Sequence, residues 1–215
     1  MIKGIFWDND GILVDTEPLY FRATRDILAE FGIELTQQKF IDISLTAGNS
    51  LFSLVADILP SAEMDAARNA RDVRYSELLQ EETRVLPGVE ETLASLHGKV
   101  KMAIVTSSRP EHFALIHRHS ELLKFFDFVL ARDDYVYSKP HPEPYLTALR
   151  RSGLPPEECI VIEDSERGLL SASRAGLRCF VIPGKLTMTG DFSLAERVLA
   201  DVREVPEALC DFSPL

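Results

Sequence analysis

The sequence predicts a doubly wound parallel α/β sheet with a helical domain inserted after its first strand. Three observations carry this: short, almost continuously apolar runs recur along the chain, helix-like stretches separate the later ones, and one long early stretch has helical periodicity alone. Strands buried on both faces of a parallel sheet read as unbroken Val, Ile, Phe and Met rather than as an alternation. Strands alternating with helices build βαβ units.

The first run is Ile2–Trp7. From Pro18 to Glu82 only helical periodicity follows, in Tyr20–Phe31 and Ala62–Leu79. A parallel crossover needs only about a dozen residues. This stretch is too long for a connection, so 15–86 reads as an inserted helical domain and 1–14 with 87–215 as the core. Leu86-Pro87-Gly88 is the hinge that returns the chain. The later strands are Val100–Val105, Phe128–Ala131, Ile160–Ile162 and Cys179–Ile182, interleaved with helical Pro110–Lys124, Pro142–Ser152 and Gly168–Ala175.

A chain of 215 residues, 46% hydrophobic and 27% charged, can bury its core without staples. Its 34 acidic against 23 basic residues give a net charge of −11, which repels nucleic acid and anionic membrane surfaces. No apolar run is long enough to span a bilayer, and Ile2–Trp7 meets Asp8 and Asp10 too soon for a signal peptide. Cys159, Cys179 and Cys210 have no CxxC spacing and cannot all pair, which reads as buried thiols in a reducing compartment. The expectation is a cytoplasmic enzyme with no nucleic-acid or membrane partner, a monomer favoured.

In open α/β sheets ligands bind outside the carboxyl ends of the strands. The polar residues that follow the apolar runs there are Asp8-Asn9-Asp10-Gly11, Thr106-Ser107-Ser108, Lys139 and Glu163-Asp164-Ser165. Several carboxylates, a hydroxyl and a lysine at one locus suit phosphoryl transfer. Asp8 would be the nucleophile and Asp10 the general acid, then base. Gly11 allows a sharp turn beneath the substrate. Clustered carboxylates facing a phosphate require a hard, oxygen-liganded cation, and Mg²⁺ fits, with Glu163 and Asp164 as the second acidic wall. Thr106 and Lys139 would hold the phosphoryl oxygens. Each feature also has a structural reading: Thr106-Ser107-Ser108 could cap the helix at Pro110, and Glu163-Asp164 the helix near Glu166.

The ordered set Asp8-x-Asp10-Gly11, Thr106, Lys139-Pro140 and Glu163-Asp164-Ser165 resembles the four motifs of the haloacid-dehalogenase-like hydrolases. The strings from Asp8 to Pro18 and from Ser138 to Glu143 are similar to the phosphoglycolate phosphatase and β-phosphoglucomutase-like branch. The resemblance spans essentially the whole chain. It implies a Rossmann-like core with a helical cap, and Mg²⁺ held by the Asp8 carboxylate, the Asp10 carbonyl and Asp164, with Glu163 as a further or outer ligand.

That superfamily hosts several reactions. Asp10 and Glu163-Asp164 argue against a metal-free dehalogenase, and Lys39, the one lysine of the insert, offers no match to a Schiff-base phosphonatase. A phosphoglucomutase grips a distal phosphate with a cap Gly-x-Ser-Arg. Here the match is Gly48-Asn49-Ser50-Leu51, and Tyr20 stands where those mutases carry histidine, although Ser108 and Arg109 resemble the core-side contacts. These departures favour hydrolysis of a small phosphomonoester, a sugar phosphate or phosphoglycolate. The mutase is the competing reading. A phospho-accepting receiver domain or a catalytically dead binding module are the non-enzymatic ones. Thr46–Ser50, with Gly48 and Asn49, is expected to reach the substrate with Ser107, Ser108 and Arg109. Arg68, Arg71 and Arg74 are expected on a solvated face.

Overall fold

The computed structural model describes residues 1–212. Six parallel strands form one sheet: β1 (Gly4–Trp7), β2 (Lys101–Val105), β3 (Phe128–Leu130), β4 (Cys159–Glu163), β5 (Arg178–Val181) and β6 (Arg197–Val198). Their order is β3-β2-β1-β4-β5-β6. The five apolar runs of the sequence are β1–β5. The two-residue β6 lies exposed on the sheet edge, too short and too solvated to carry a pattern. The order reverses between β1 and β4, the position at which α/β sheets open a crevice for ligands.

Alternate strand residues go to opposite faces. Ile5 and Trp7 join one apolar cluster, with Met102, Ile104, Ile160 and Ile162. Phe6 joins the other, with Ala103, Val105, Val161 and Val181. The first face is covered by α4 (Val89–Leu96), α5 (Pro110–Ile116) and α8 (Val205–Cys210), and the second by α6 (Glu143–Ser152) and α7 (Glu166–Arg174). Helix α5 stops at Ile116, eight residues before the predicted end. His117 leaves it to bond Asn9, and a short 3₁₀ turn, Leu122–Phe125, follows.

Between Trp7 and Val85 the chain forms α1 (Glu17–Glu30), α2 (Gln37–Phe40), a π-helical turn at Ile41–Thr46, a 3₁₀ turn at Leu51–Val55, and the long α3 (Ser61–Glu82). No strand occurs in this segment, and it has an apolar cluster of its own that includes Leu28, Phe40, Leu51, Phe52 and Val55. It joins the sheet where two crossings run side by side. Val14 bridges Val85 antiparallel, Asp15 N–H donates to the Arg84 carbonyl (3.1 Å), and Leu86 N–H to the Leu13 carbonyl (3.0 Å). Leu19, Ala23, Tyr75, Leu78 and Leu79 at the roots of α1 and α3 pack into the first sheet cluster, so the insert is seated rather than tethered.

Among the described residues no helix is long and apolar enough to cross a membrane. The cysteines are all free; Cys159 and Cys179 are buried as expected, whereas Cys210 is exposed at the end of α8.

Candidate active site

The carboxyl ends of β1, β2 and β4 bring the predicted acidic and basic residues together because the strands are in register. Trp7 pairs with both Ile104 and Ile162, so Asp8 leaves the sheet level with Val105 and Glu163. Lys139 arrives from the loop after β3 and is buried. Its ammonium donates to Asp8 Oδ1 (2.8 Å), Glu163 Oε1 (2.6 Å) and the Val105 carbonyl (2.8 Å), satisfying all three protons. Burial opposes that charge, and the Asp8 and Glu163 carboxylates outweigh it and hold the ammonium well above its usual range. Burial, reinforced by Glu163 and opposed by Lys139, pushes Asp8 up to about 7.

Glu163 was expected among metal ligands, and the structure occupies both of its oxygens. Oε1 accepts from Lys139 and the Tyr145 hydroxyl (2.6 Å), and Oε2 from Asp164 N–H (3.2 Å) and the Ser165 hydroxyl (3.3 Å). Asp164 is different. Its Oδ2 is buried without a hydrogen-bond partner, and burial with the neighbouring carboxylates Glu17, Glu163 and Asp8 pushes the group well above the usual carboxylate range. One oxygen each from Asp8, Glu163 and Asp164 lie within 4.8 Å of one another. An orphaned buried carboxylate oxygen in an all-oxygen cluster fits a hard divalent cation.

Gly11 leaves room beside that oxygen. Its φ is +82°, and an added Cβ would stand 2.5 Å from Asp164 Oδ2. Gly11 therefore shapes the carboxylate cluster and does not line the substrate cavity. Gly168 does the same for Glu163, whose carboxyl carbon lies 1.9 Å from where its Cβ would be. Ser165, not Glu163 or Asp164, caps α7 by accepting from Gly168 N–H.

Asp10 accepts from three hydroxyls: Thr16, Thr106 (3.0 Å) and Ser108 (2.9 Å). These bonds replace the helix cap expected of Thr106-Ser107-Ser108, since the N-cap of α5 is Arg109 and no side chain caps it. Thr106, expected to face the phosphoryl group, is fully buried and committed to Asp10 and to Ser108 N–H. The hydroxyl that faces the cavity without a partner is Ser107. Asn9 points the other way, accepting from His117 Nε2 (2.8 Å) while its backbone carbonyl gathers the N–H groups of Leu13 and Val14. Burial pushes His117 down to about 4, so the imidazole is a neutral strut for this turn.

Above these groups lies a cavity of about 360 Å³ between core and insert. Asp10, Ser107, Ser108, Arg109 and Lys139 line it from the core, and Gly48 from the insert; Asn49 is exposed and does not. Tyr20 and Arg71 also line it, so Arg71 is not on the solvated face predicted for it. Sequence reasoning missed four more groups. Tyr145 supports both Glu163 and Lys139, whose ammonium lies 4.9 Å from the ring centroid. Glu17 and Arg167 line this cavity and a smaller one at Asp8 and Asp164. Asp72 joins Arg71 on the same wall. Burial, then the Asp10 and Asp8 carboxylates, push Glu17 up to about 8. Only Glu17 had a signal, its place in the string after Asp15-Thr16; the others depend on which helix face turns inward.

The family model for haloacid dehalogenase-like hydrolases matches residues 5–182. A phosphorylated carbohydrates phosphatase of Thermotoga maritima is 34% identical over 82% of this chain and 82% of its own. The fructose-1-phosphate phosphatase YqaB of Escherichia coli is 30% identical over 81% of this chain and 93% of its own. A mutant of CbbY from Rhodobacter sphaeroides in complex with xylulose-(1,5)bisphosphate superposes with a TM-score of 0.82 at 28% identity, over 95% of this chain and 96% of that one. With its parallel sheet, helical insert and acidic crevice, this chain belongs to the haloacid dehalogenase-like hydrolases.

Proposed function

We propose that this enzyme is a Mg²⁺-dependent phosphatase acting on a small phosphomonoester, a phosphorylated sugar foremost, through an aspartyl-phosphate on Asp8. The observation that carries the reading is the Lys139 ammonium bonded to one oxygen of Asp8, where both residues line the smaller cavity beside the one between core and insert. That contact orients the carboxylate and leaves its other oxygen for attack on phosphorus. The names of the two phosphatase relatives support the substrate class.

In the first step an Asp8 oxygen bonds to phosphorus as the ester P–O bond breaks, and Asp10 gives its proton to the leaving alkoxide. For Asp10 to carry that proton, one of the contacts with Thr16, Thr106 or Ser108 reverses, the hydroxyl oxygen accepting. In the second step water attacks phosphorus, Asp10 takes the proton, and the bond to Asp8 breaks to release phosphate. Lys139 and the free Ser107 hydroxyl bind the phosphoryl oxygens. Glu163 positions Lys139. Asp8, the Asp10 carbonyl and Asp164 would hold Mg²⁺, whose charge would offset their repulsion of the phosphate.

Leu51, where a mutase would carry its distal-phosphate arginine, is buried in the insert's apolar cluster, which favours hydrolysis over mutation. Asp8→Asn should abolish Mg²⁺-dependent release of inorganic phosphate from 4-nitrophenyl phosphate, as EDTA should with the unaltered enzyme; equal turnover in the variant would overturn the reading.

A further inference from the structure

The smaller cavity, where a phosphoryl group would meet Asp8, is lined by more anionic than cationic side chains. Asp8, Asp10, Glu17 and Asp164 bring four carboxylates, and Lys139 and Arg167 stand against them. The two cations are not equally free. All three protons of Lys139 go to Asp8, Glu163 and the Val105 carbonyl. Lys139 therefore offers an incoming phosphoryl group its charge but no N–H to spare. The Ser107 hydroxyl has no partner, but it is a neutral donor.

Arg167 is in the opposite condition. Among the described residues, the only ion pairs at these carboxylates are the two made by Lys139. The Nε of Arg167 is buried and has no hydrogen-bond partner. A buried N–H left unmade is costly, and a ligand oxygen that accepts from it removes that cost. Arg167 also lines the larger cavity, so its guanidinium stands where the two cavities meet, beside the place of the ester bond. The insert holds its stem. Gly48 has a φ of +69°, and a Cβ there would come 3.2 Å from Arg167 Cδ, so a glycine lets the Thr46–Ser50 turn settle against the arginine. The other guanidinium groups of the larger cavity lie outside the smaller one. Arg71 and Arg109 share Asp72, and Arg132 is bonded to the Tyr135 and Val136 carbonyls.

We propose that Arg167 is the second phosphoryl-binding cation of this enzyme, donating its unused N–H groups to the phosphoryl oxygens beside Asp8. A guanidinium presents Nε–H and an adjacent N–H as a planar fork that matches two such oxygens. The proposal rests on the phosphatase reading and adds to it a residue outside the four sequence motifs. Because the stem is packed before substrate arrives, the charge is in place as negative charge shifts over the phosphoryl oxygens in the transition state.

The test measures turnover of 4-nitrophenyl phosphate, and its inhibition by inorganic phosphate, in the Mg²⁺-loaded full-length enzyme. Arg167→Met should lower kcat/KM by about a hundredfold and weaken inhibition by phosphate by about tenfold or more. Arg167→Lys keeps the charge without the fork and should fall between that variant and the parent. The Mg²⁺ concentration that half-maximally raises Tm should not increase, because a cation beside the carboxylates has been removed. Arg150→Met takes an equal charge from the exposed side of α6, outside both cavities, and should leave both constants within about twofold.

Phosphate inhibition unmoved in Arg167→Met, or an equal loss in Arg150→Met, would overturn the proposal. Weaker Mg²⁺ binding would also overturn it, by making Arg167 a support of the metal cluster. So would an effect confined to KM for fructose 1-phosphate, which would put Arg167 on the remainder of the substrate. Should Arg167→Met fail to fold, Arg167→Lys decides in its place: phosphate inhibition weaker by about threefold or more supports the assignment, and an unmoved constant ends it. If the parent hydrolyses the ester and inhibition does not respond to Arg167, the phosphatase reading stands alone. If the parent neither hydrolyses the ester nor binds phosphate, both fall.

Discussion

On the sheet side of the cavity, Asp8 and Glu163 are buried at strand ends held in register, and both are bonded to the buried Lys139, which comes from the loop after β3. Across the cavity, Arg71 and Asp72 of the insert form a charged cluster with Arg109 of the core, but it hangs on helices, and Arg109 is 53% exposed. A buried network is worth little as a source of stability and much as a source of fixed geometry, because removing any member strands the others in low dielectric. In the second cluster water screens Arg109 alone, since Arg71 and Asp72 are largely buried. The difference is one of construction: strand register and burial fix the first wall, and the packing of helices that meet across the cavity fixes the second.

Lys139→Met is the severest way to test this contrast. It leaves Asp8 and Glu163 facing each other uncompensated, so stability in urea should fall by about 3–5 kcal/mol, and turnover should be lost. A variant that unfolds like the parent would show that the sheet-side network does not depend on its lysine.

Metal and pH come next. Asp8 titrates at about 7 and Glu17 at about 8 in the folded chain, against 3.8 and 4.5 when unperturbed. Both are raised, so between about pH 4 and 8 the folded state holds protons that the unfolded chain has released, and the metal-free protein loses stability as pH rises through that window. Mg²⁺ takes the deprotonated carboxylates, so the Tm gain it produces should be larger at about pH 8 than at about pH 5.5. A gain independent of pH would mean that the ion does not engage these groups.

Tyr145→Phe is milder. It removes one donor from Glu163 and leaves Lys139 in place, with an expected cost of about 1–2 kcal/mol in thermal unfolding and a fall in kcat with KM nearly unchanged. A change in KM alone would place Tyr145 on the substrate rather than behind it. Asn49→Ala should do least, within about 0.5 kcal/mol and with the same substrate preference across a panel of phosphate esters, because the residue is exposed and outside the cavity. A shifted preference would place the Thr46–Ser50 turn on the substrate.

The sheet was legible in the sequence because its strands are buried on both faces and therefore unbrokenly apolar, as in Ile160–Ile162. β6 was not, since two exposed edge residues carry no pattern. Helices α4 and α8 also passed unnoticed: at eight and six residues they complete barely two turns each, too few for a period to declare itself. The site was legible where a residue directly follows a strand, as Asp8 and Asp164 do. It was less so where several hydroxyls lie side by side. Thr106, Ser107 and Ser108 look interchangeable in sequence, and only the fold turns Thr106 and Ser108 to Asp10 and leaves Ser107 to the cavity.

What the sequence determined by itself was the sheet, the presence of a helical insert, and the residue types gathered at the strand ends, because strand register converts order along the chain into proximity. What only the tertiary structure decided was the direction of side chains on helices that meet across the cavity. Arg71 reads as one of three arginines at helical spacing, and its inward turn follows from the packing of α1 on α3, which sets Tyr20 beneath its guanidinium. Periodicity identifies a face, but the partner that buries it is chosen by contacts fifty residues away along the chain.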